Sequence, residues 1–381
     1  MTSAAPSRGS DAAAWSFELV AGAERLHRLS DEWRALDEAS AEGTVFQSWE
    51  WHQAWWDAMG RAQAGCEPLI GRLRRGGRTV GILPLMRVSL GARTVLRFLT
   101  SPVADYHDWI GAGPLPGEAI DRVAEGLAED PATDGVELDE VSPRAILDPA
   151  LDRLRDVLSA EIEPSSRCPY AELGAAPGRR VGMSQYARKA RRLEVRAAPL
   201  AVDHLTDARE VRACLDDYFR MHTDQWRARA DVAGSFEEAA NVRFFEALVD
   251  RLAPRGWLLL SRLRSGDRAI AYDLSFRRRG VLSTYRATFA RDMAADSPGH
   301  VLLARLLAVA LAQGVREVDF LRGEYSYKAM YATGERRSRR LRTRASTIPL
   351  ARDDGIVALS SLRPLPPTPA TVPAGTREGE Q

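Results

Sequence analysis

Apolar residues change their spacing several times along this chain, and each change marks an element. WSFELV at 15–20 alternates as a strand does, whereas Leu26, Leu29, Trp33 and Leu36 recur at helical intervals and predict a helix over about 23–39. FQSWEWHQAWWDAMG follows, with Ser48 placed to cap a helix and Trp51, Trp55 and Met59 on one of its faces. Trp49, Trp51, Trp55 and Trp56 are assigned to packing rather than to a ligand platform, because their spacing already suits a core helix. PLIGRL and RTVGILPLMRV, joined across RRGG, read as a hairpin with a Gly-Gly turn. Strands are predicted at 93–99, 135–141 and 170–173, and helices at 118–129 and 147–161.

The second half opens with SQYARKARRLEV, a basic helix with Ser184 as its expected cap. Helices at about 208–229 and 236–252 precede a meander of strands at 257–264, 268–278 and 281–289. A helix over 298–313 stops at Gly314, and EVDFL at 317–321 is a short strand leading into RGEYSYKAMY. LIGRLRRGGRTVG at 69–81 aligns without gaps on LLSRLRSGDRAIA at 259–271, bringing Arg72, Arg74 and Arg78 onto Arg262, Arg264 and Arg268. A spacing of 190 residues fits two copies of one α/β unit. The expected organisation is a loose tail at 1–14, one domain at 15–175, a second at 176–350 beginning near APGRR, and a disordered Pro-rich tail at 351–381.

Composition narrows the class. A chain of 381 residues, 45% hydrophobic and 28% charged, can bury two real cores. A formal net charge of +1 argues against a nucleic-acid coat or a polybasic membrane binder. Lys189 and Lys328 are the only lysines, so 51 of the 53 basic residues are arginine. A lysine kept in such a chain suggests a place where a compact ammonium serves and a planar guanidinium does not. Cys66, Cys168 and Cys214 lie far apart and form neither a disulfide framework nor a metal motif. The N-terminal residues lack the apolar run of a signal peptide, and VLLARLLAVALAQ is short for a membrane span and carries Arg305. A soluble cytoplasmic protein is expected.

Rossmann, P-loop, nucleophile-elbow and HExxH patterns do not occur, and the six histidines have no metal-ligand spacing. Two stretches carry the candidate chemistry. In DSPGHVLLARLL, a strand passes through a polar loop into a helix with Ser297 at N-cap, Pro298 at its first position and Gly299 next. Such an N-terminus presents unpaired N–H groups and the positive end of the helix dipole to a phosphate. In VDFLRGEYSYKAMYATGERRSRR, Asp319 lies inside an apolar strand and needs a partner, for which Arg322 and Lys328 are at hand. Tyr325, Tyr327 and Tyr331 surround Lys328. The six arginines between 336 and 344 suggest a solvated strand edge or an anion site.

These motifs resemble the CelD-type acetyltransferases of the GNAT superfamily, relatives of the Fem aminoacyl-transferases. The order of hairpin, strand, SPG-helix, DFLRG and YKAMY is similar to the C-terminal half of that family, and FQSWEWHQAWW resembles its N-terminal region. The resemblance implies an α/β (α+β) fold of two GNAT-like halves, each a twisted, mixed, largely antiparallel sheet flanked by helices. It implies acetyl-CoA or another acyl-CoA as co-substrate, held by Ser297, Gly299 and His300, and no metal. Lys328, Asp319 and Tyr327 are the candidate catalytic residues; Asp273, Tyr285, Arg322 and Glu324 are candidates for binding substrate. The acceptor is an amine on a small molecule or glycan precursor, with no specific nucleic acid. The alternative is a Fem-like transferase that takes aminoacyl-tRNA, or a scaffold without catalysis. The C-terminal half is expected to hold the site, the N-terminal half having no SPG-helix.

Overall fold

The alternating stretch at the start forms β1 (Trp15–Ala21), and the helical spacing that follows is divided between α1 (Ala23–Arg28) and α2 (Ser30–Ala39). The structure, a computed structural model, describes residues 14–174, 183–196, 199–227, 235–323 and 325–343. Ser48 caps α3 (Trp49–Ala58) by accepting the Trp51 N–H, and all four tryptophans there are buried. Next come β2 (Cys66–Arg75), β3 (Arg78–Leu90), β4 (Arg93–Phe98), the two-residue β5 (Ile110–Gly111), α4 (Gly117–Ala128) and β6 (Gly135–Val141). The helix expected over 147–161 is shorter, α5 (Leu151–Leu158), and the polar residues beyond it enter a long strand, β7 (Ala160–Glu172). Ser159 ends α5 in the left-handed region at φ 50°, which lets the chain reverse at once.

The second half repeats the order: α6 (Met183–Arg196), β8 (Leu200–Leu205), α7 (Ala208–Arg227), α8 (Ala239–Leu252), β9 (Leu258–Ser265), β10 (Arg268–Arg278), β11 (Val281–Phe289), α9 (Pro298–Ala312) and β12 (Glu317–Asp319). Ser184 lies inside α6 and not ahead of it. RGEYSYKAMY yields a short helix, α10 (Ser326–Tyr331), and the basic run yields β13 (Gly334–Thr343).

The sheet order is β1-β2-β3-β4-β6-β13-β7-β12-β11-β10-β9-β8, with β5 paired to β3. Matching β1, β2, β3, β4, β6 and β7 to β8, β9, β10, β11, β12 and β13 turns this order into its own reverse, a pseudo-two-fold. Each half therefore lends its last strand to the other: β13 lies against β6, and β7 against β12. The sequence repeat is a structural one. Both hairpins turn on left-handed glycines, Gly76 (φ 57°) and Gly266 (φ 59°). Both registers slip at matching places, between Leu73 and Arg74 in one and opposite Leu263 and Arg264 in the other, so that Val80 and Ile270 are skipped. The mixed α/β fold with helices flanking a largely antiparallel sheet is as expected, except that the two half-sheets are one continuous sheet. The expected tails and the boundary near APGRR lie outside the described residues.

One arginine expectation is overturned. β13 is no solvated edge; it pairs with β6 on one side and β7 on the other. Three of its guanidiniums meet carboxylates: Arg336 on Glu317, Arg339 on Asp148 at 2.7 Å, and Arg342 on Glu137 at 3.0 Å. Arginine suits a strand so placed because its fork meets a carboxylate along two parallel bonds.

Candidate functional site

β11 and β12 run parallel but pair over three residues only, Val281 with Glu317, Leu282 with Val318 and Ser283 with Asp319. Two local features then part them. On β11 the ladder to β10 steps from Leu274–Arg286 to Ser275–Thr284, which leaves Tyr285 as the extra residue of a bulge. On the other side Leu321 (φ 58°) and Gly323 (φ 113°) turn the chain out of β12 towards α10. Beyond these pairs β11 and the chain leading to α10 diverge, and α9 begins at the far end of β11, where a Cβ on Gly299 would stand 3.4 Å from the Phe289 ring.

Asp319 sits where the strands part, 5% exposed. It accepts the Leu321 N–H at 2.7 Å and, with both oxygens, the Tyr106 hydroxyl at 3.1 and 3.0 Å. Burial pushes its carboxyl up to about 6, against the pull of those hydrogen bonds. The partner expected in Arg322 or Lys328 is therefore a tyrosine from the other half of the chain. Arg322 turns instead to Asp105, 3.0 Å from its Nε, and to the Pro102 carbonyl. Lys328, 4% exposed, donates to the main-chain oxygens of Leu321 at 3.1 Å and Arg322 at 2.6 Å. Burial lowers its pKa, with the Asp105 charge acting the other way. The salt bridge to Asp319 considered for it is not formed, and Glu324 lies outside the described residues.

Asp273 is buried on β10 and accepts the Ser275 hydroxyl; burial raises its carboxyl to about 6. Its charge adds to the burial that holds the Tyr327 phenol above the usual range. Tyr285 belongs to an aromatic cluster, its ring 5.3 Å from that of Phe276 and 5.6 Å from that of Trp51, with its hydroxyl on the Val103 carbonyl at 3.3 Å.

At the start of α9, Ser297 does not cap as expected. It is left-handed (φ 57°, ψ 50°), makes no side-chain bond to the helix, and accepts the His300 N–H on its main-chain oxygen at 3.0 Å. Lys189 of α6 brings its ammonium to 3.4 Å from the Ser297 hydroxyl. The Tyr331 hydroxyl stands 3.2 Å from His300 Nδ1 and 3.3 Å from the His300 carbonyl oxygen, tying the start of α9 to the end of α10. Burial lowers the His300 imidazole pKa, and the Lys189 charge adds to it. Lys189 thus stands at the start of α9, and Lys328 at the turn that leaves β12. α10 joins the predicted groups, Tyr327 beside Asp273 and His300, Lys328 beside Arg322 and Asp319.

Sequence reasoning missed the loop over 99–109, which supplies Asp105 and Tyr106, and it missed Glu140. Glu140, 1% exposed, accepts the Ser165 and Ser166 hydroxyls at 2.7 and 2.8 Å and stands 3.9 Å from Arg322. A signal existed in SPVADYHDW, where two carboxylates and two aromatics crowd an inter-strand loop. The N-terminal half also has a counterpart to the SPG-helix, since α4 is entered through Pro116 and Gly117. Its cleft is closed: Trp109, buried with Ala119 and Ile120 of α4, occupies it.

The comparisons with known proteins match this geometry. Residues 180–329 match the acetyltransferase (GNAT) domain family. The matched stretch takes in α9, Asp319 and Lys328 but ends before β13. The whole chain is similar in fold to a FemX structure, at 10% identity and TM-score 0.56, covering 82% of this chain and 95% of that one. It is similar to a conserved protein of unknown function from Bacteroides thetaiotaomicron, at 10% identity and TM-score 0.55, covering 83% and 97%. The C-terminal domain of a putative lysylphosphatidylglycerol synthetase from Agrobacterium fabrum is also similar, at 11% identity and TM-score 0.51, covering 77% and 92%. No curated protein matches the sequence. Over residues 180–329 the chain is thus similar to the acetyltransferase (GNAT) domain family, and its overall fold is like that of these structures. Among the described residues no helix is long and apolar enough to cross a membrane, and no group of His, Cys, Asp and Glu is placed to hold a metal ion.

Proposed function

We propose that the chain is a cytoplasmic N-acyltransferase that moves an acetyl or longer acyl group from acyl-CoA to an amine of a small molecule or glycan precursor, in the manner of the CelD-type enzymes it resembles. The observation that carries this reading is the three-residue pairing of β11 with β12, followed by a bulge on one strand and a left-handed turn on the other. A parallel pair opened in this way admits a narrow chain between the strands and exposes backbone donors to it. The residues present fit acyl-CoA: the first-turn N–H groups of α9, the bare Gly299 and the Lys189 ammonium would hold its pyrophosphate. The bound thioester supplies an activated acyl carbon.

The chain's own residues then have separable tasks. Backbone N–H groups near the Tyr285 bulge are placed to meet the charge that develops on the acyl oxygen. Asp319, buried and poised at about 6, is the proton acceptor for the attacking amine. Lys328 fixes the turn from which Tyr327 and α10 face the cleft, and Asp273 with Tyr327 lines its α9 side.

The likeness to FemX supports a second reading, a Fem-like transfer from aminoacyl-tRNA. Calorimetry separates the two. Acetyl-CoA or a longer acyl-CoA binding one-to-one, with loss of the thioester on adding an amine, supports the first reading. Binding of charged tRNA without acyl-CoA binding overturns it in favour of the second.

A further inference from the structure

One loop of the N-terminal half bonds directly to several of the predicted site residues. Within residues 99–109, Tyr106 bonds both carboxylate oxygens of Asp319, Asp105 pairs with Arg322, and the Pro102 and Val103 carbonyls accept Arg322 and Tyr285. All three C-terminal partners are predicted site residues, and the loop lies outside the matched GNAT domain. Val318 and Phe320 point to the α9 side of the sheet, whereas Tyr106 and Tyr285 belong to the core on the opposite side. Asp319 therefore faces away from α9, towards the N-terminal half. A cavity of about 70 Å³ between the halves is lined by Tyr106, Asp319 and Ser283 and reaches the partly exposed Arg144. Charged groups, Asp319, Glu317 and Arg336 among them, stand in its partly apolar lining, and it is large enough for water.

We propose that Tyr106 is a positioning residue of the acyl-transfer site, holding the Asp319 carboxylate ionised and aimed so that it takes the acceptor's proton and passes it to water in this cavity. The inference rests on the acyltransferase reading. In the step concerned, the amine nitrogen bonds to the acyl carbon as the carbon–sulfur bond breaks. Sulfur leaves with the bonding pair as a thiolate, and the proton shed by nitrogen goes to an Asp319 oxygen. Tyr106 keeps its own proton throughout, because burial and the neighbouring Asp319 hold its phenol far above its usual range.

Several groups face Asp319. Tyr106 and the Leu321 N–H favour its ionised form, as do the charges of Arg336 on β13 and Lys328 on α10, while Glu317 on its own strand opposes it. Cys168 on β7 also feels its charge. Arg336 is already engaged by Glu317, and Lys328 by two carbonyls, so Tyr106 is the neutral side chain that, beside the Leu321 N–H, donates to the carboxylate directly.

Tyr106→Phe tests this with two readouts. The hydroxyl favours the carboxylate, so its loss raises the Asp319 pKa. The acid limb of the kcat/KM profile should then move up by about one pH unit, with KM for acyl-CoA unchanged. Independently of activity, the drop in Tm relative to the parent should be larger at pH 8, where the carboxylate is ionised, than at pH 5, where it is protonated. Asp319→Asn should abolish the acid limb and serves where Tyr106→Phe folds poorly. Acyl transfer with an unmoved limb, or a Tm drop equal at both pH values, overturns the role of Tyr106. A pH-dependent Tm drop without transfer from acyl-CoA to any amine overturns the acyltransferase reading, and the proton path with it.

Discussion

The ammonium of Lys328 donates to the carbonyl oxygen of Leu321 at 3.1 Å, and Leu321 is held at φ 58°, a conformation that costs a leucine stability. The same nitrogen takes the next carbonyl, Arg322, at 2.6 Å. One compact cation thus gathers two successive oxygens of a strained turn, which a planar guanidinium with separated nitrogens cannot do from the same place. In a chain that otherwise uses arginine, this geometry accounts for the lysine.

Lys328→Met keeps the length and removes both bonds. Stability should fall by about 3–6 kcal/mol, the worth of two charge-assisted hydrogen bonds, in urea unfolding. Turnover should fall at least about tenfold, or ~1.4 kcal/mol in barrier, because the turn places α10 against the cleft. Lys328→Arg should lose both as well. Full stability and activity in the arginine variant would refute the clamp.

Gly299 offers a test of the cofactor end. Its Cβ position is in ordinary contact with Phe289 at 3.4 Å, so alanine should be accepted there. Gly299→Trp places an indole over the first N–H groups of α9. Acyl-CoA affinity, measured by calorimetry, should fall at least about tenfold, equivalent to ~1.4 kcal/mol, with Tm little changed. Unaltered affinity would place the pyrophosphate elsewhere.

The fold was largely legible because its signals are local. Periodicity placed the helices and meanders, and the alignment of Arg72 with Arg262 found two hairpins that share even their bulge. The exchange of β7 and β13 was not legible, since strand pairing across nearly 200 residues leaves no local trace. β7 also alternates weakly, most of its residues being half-exposed or exposed. The site was legible in its C-terminal part, where Asp319 in an apolar strand and Lys328 among tyrosines are locally odd. Tyr106 was not, because a tyrosine in a polar loop becomes informative only once the pseudo-two-fold sheet brings that loop against β12.

The two halves should not bind alike. A Cβ on Gly81 would meet the Trp109 ring at 1.9 Å, whereas its repeat partner Ala271 carries a Cβ without conflict beneath α9. Trp109 fills in one half the space left usable in the other. Calorimetry should therefore give one acyl-CoA per chain, and a stoichiometry of two would contradict the closed cleft. Gly81→Ala should cost about 1–3 kcal/mol by overpacking, read as a lower urea midpoint.

The last prediction concerns acid stability and rests on His52. This imidazole is 2% exposed in α3, beside Trp33 with ring centres 4.8 Å apart, and its Nδ1 lies 2.9 Å from the Ser48 carbonyl oxygen. Burial lowers its pKa to about 3, with the Ser48 contact opposing the shift. A base whose folded pKa is depressed is neutral in the fold and charged in the unfolded chain below about 6.5. Its contribution to stability is therefore intact at pH 7.5 and declines as pH falls through 6.5 towards 3. At pH 5 the loss from this one group should be about 2 kcal/mol. His52→Gln lacks the titration and can still donate to the Ser48 carbonyl. Its own loss of stability between pH 7.5 and 5, measured by urea unfolding, should be smaller than the parent's by that amount. Equal losses in the two proteins would mean that His52 is already protonated in the folded state, and that the core around α3 admits a charge.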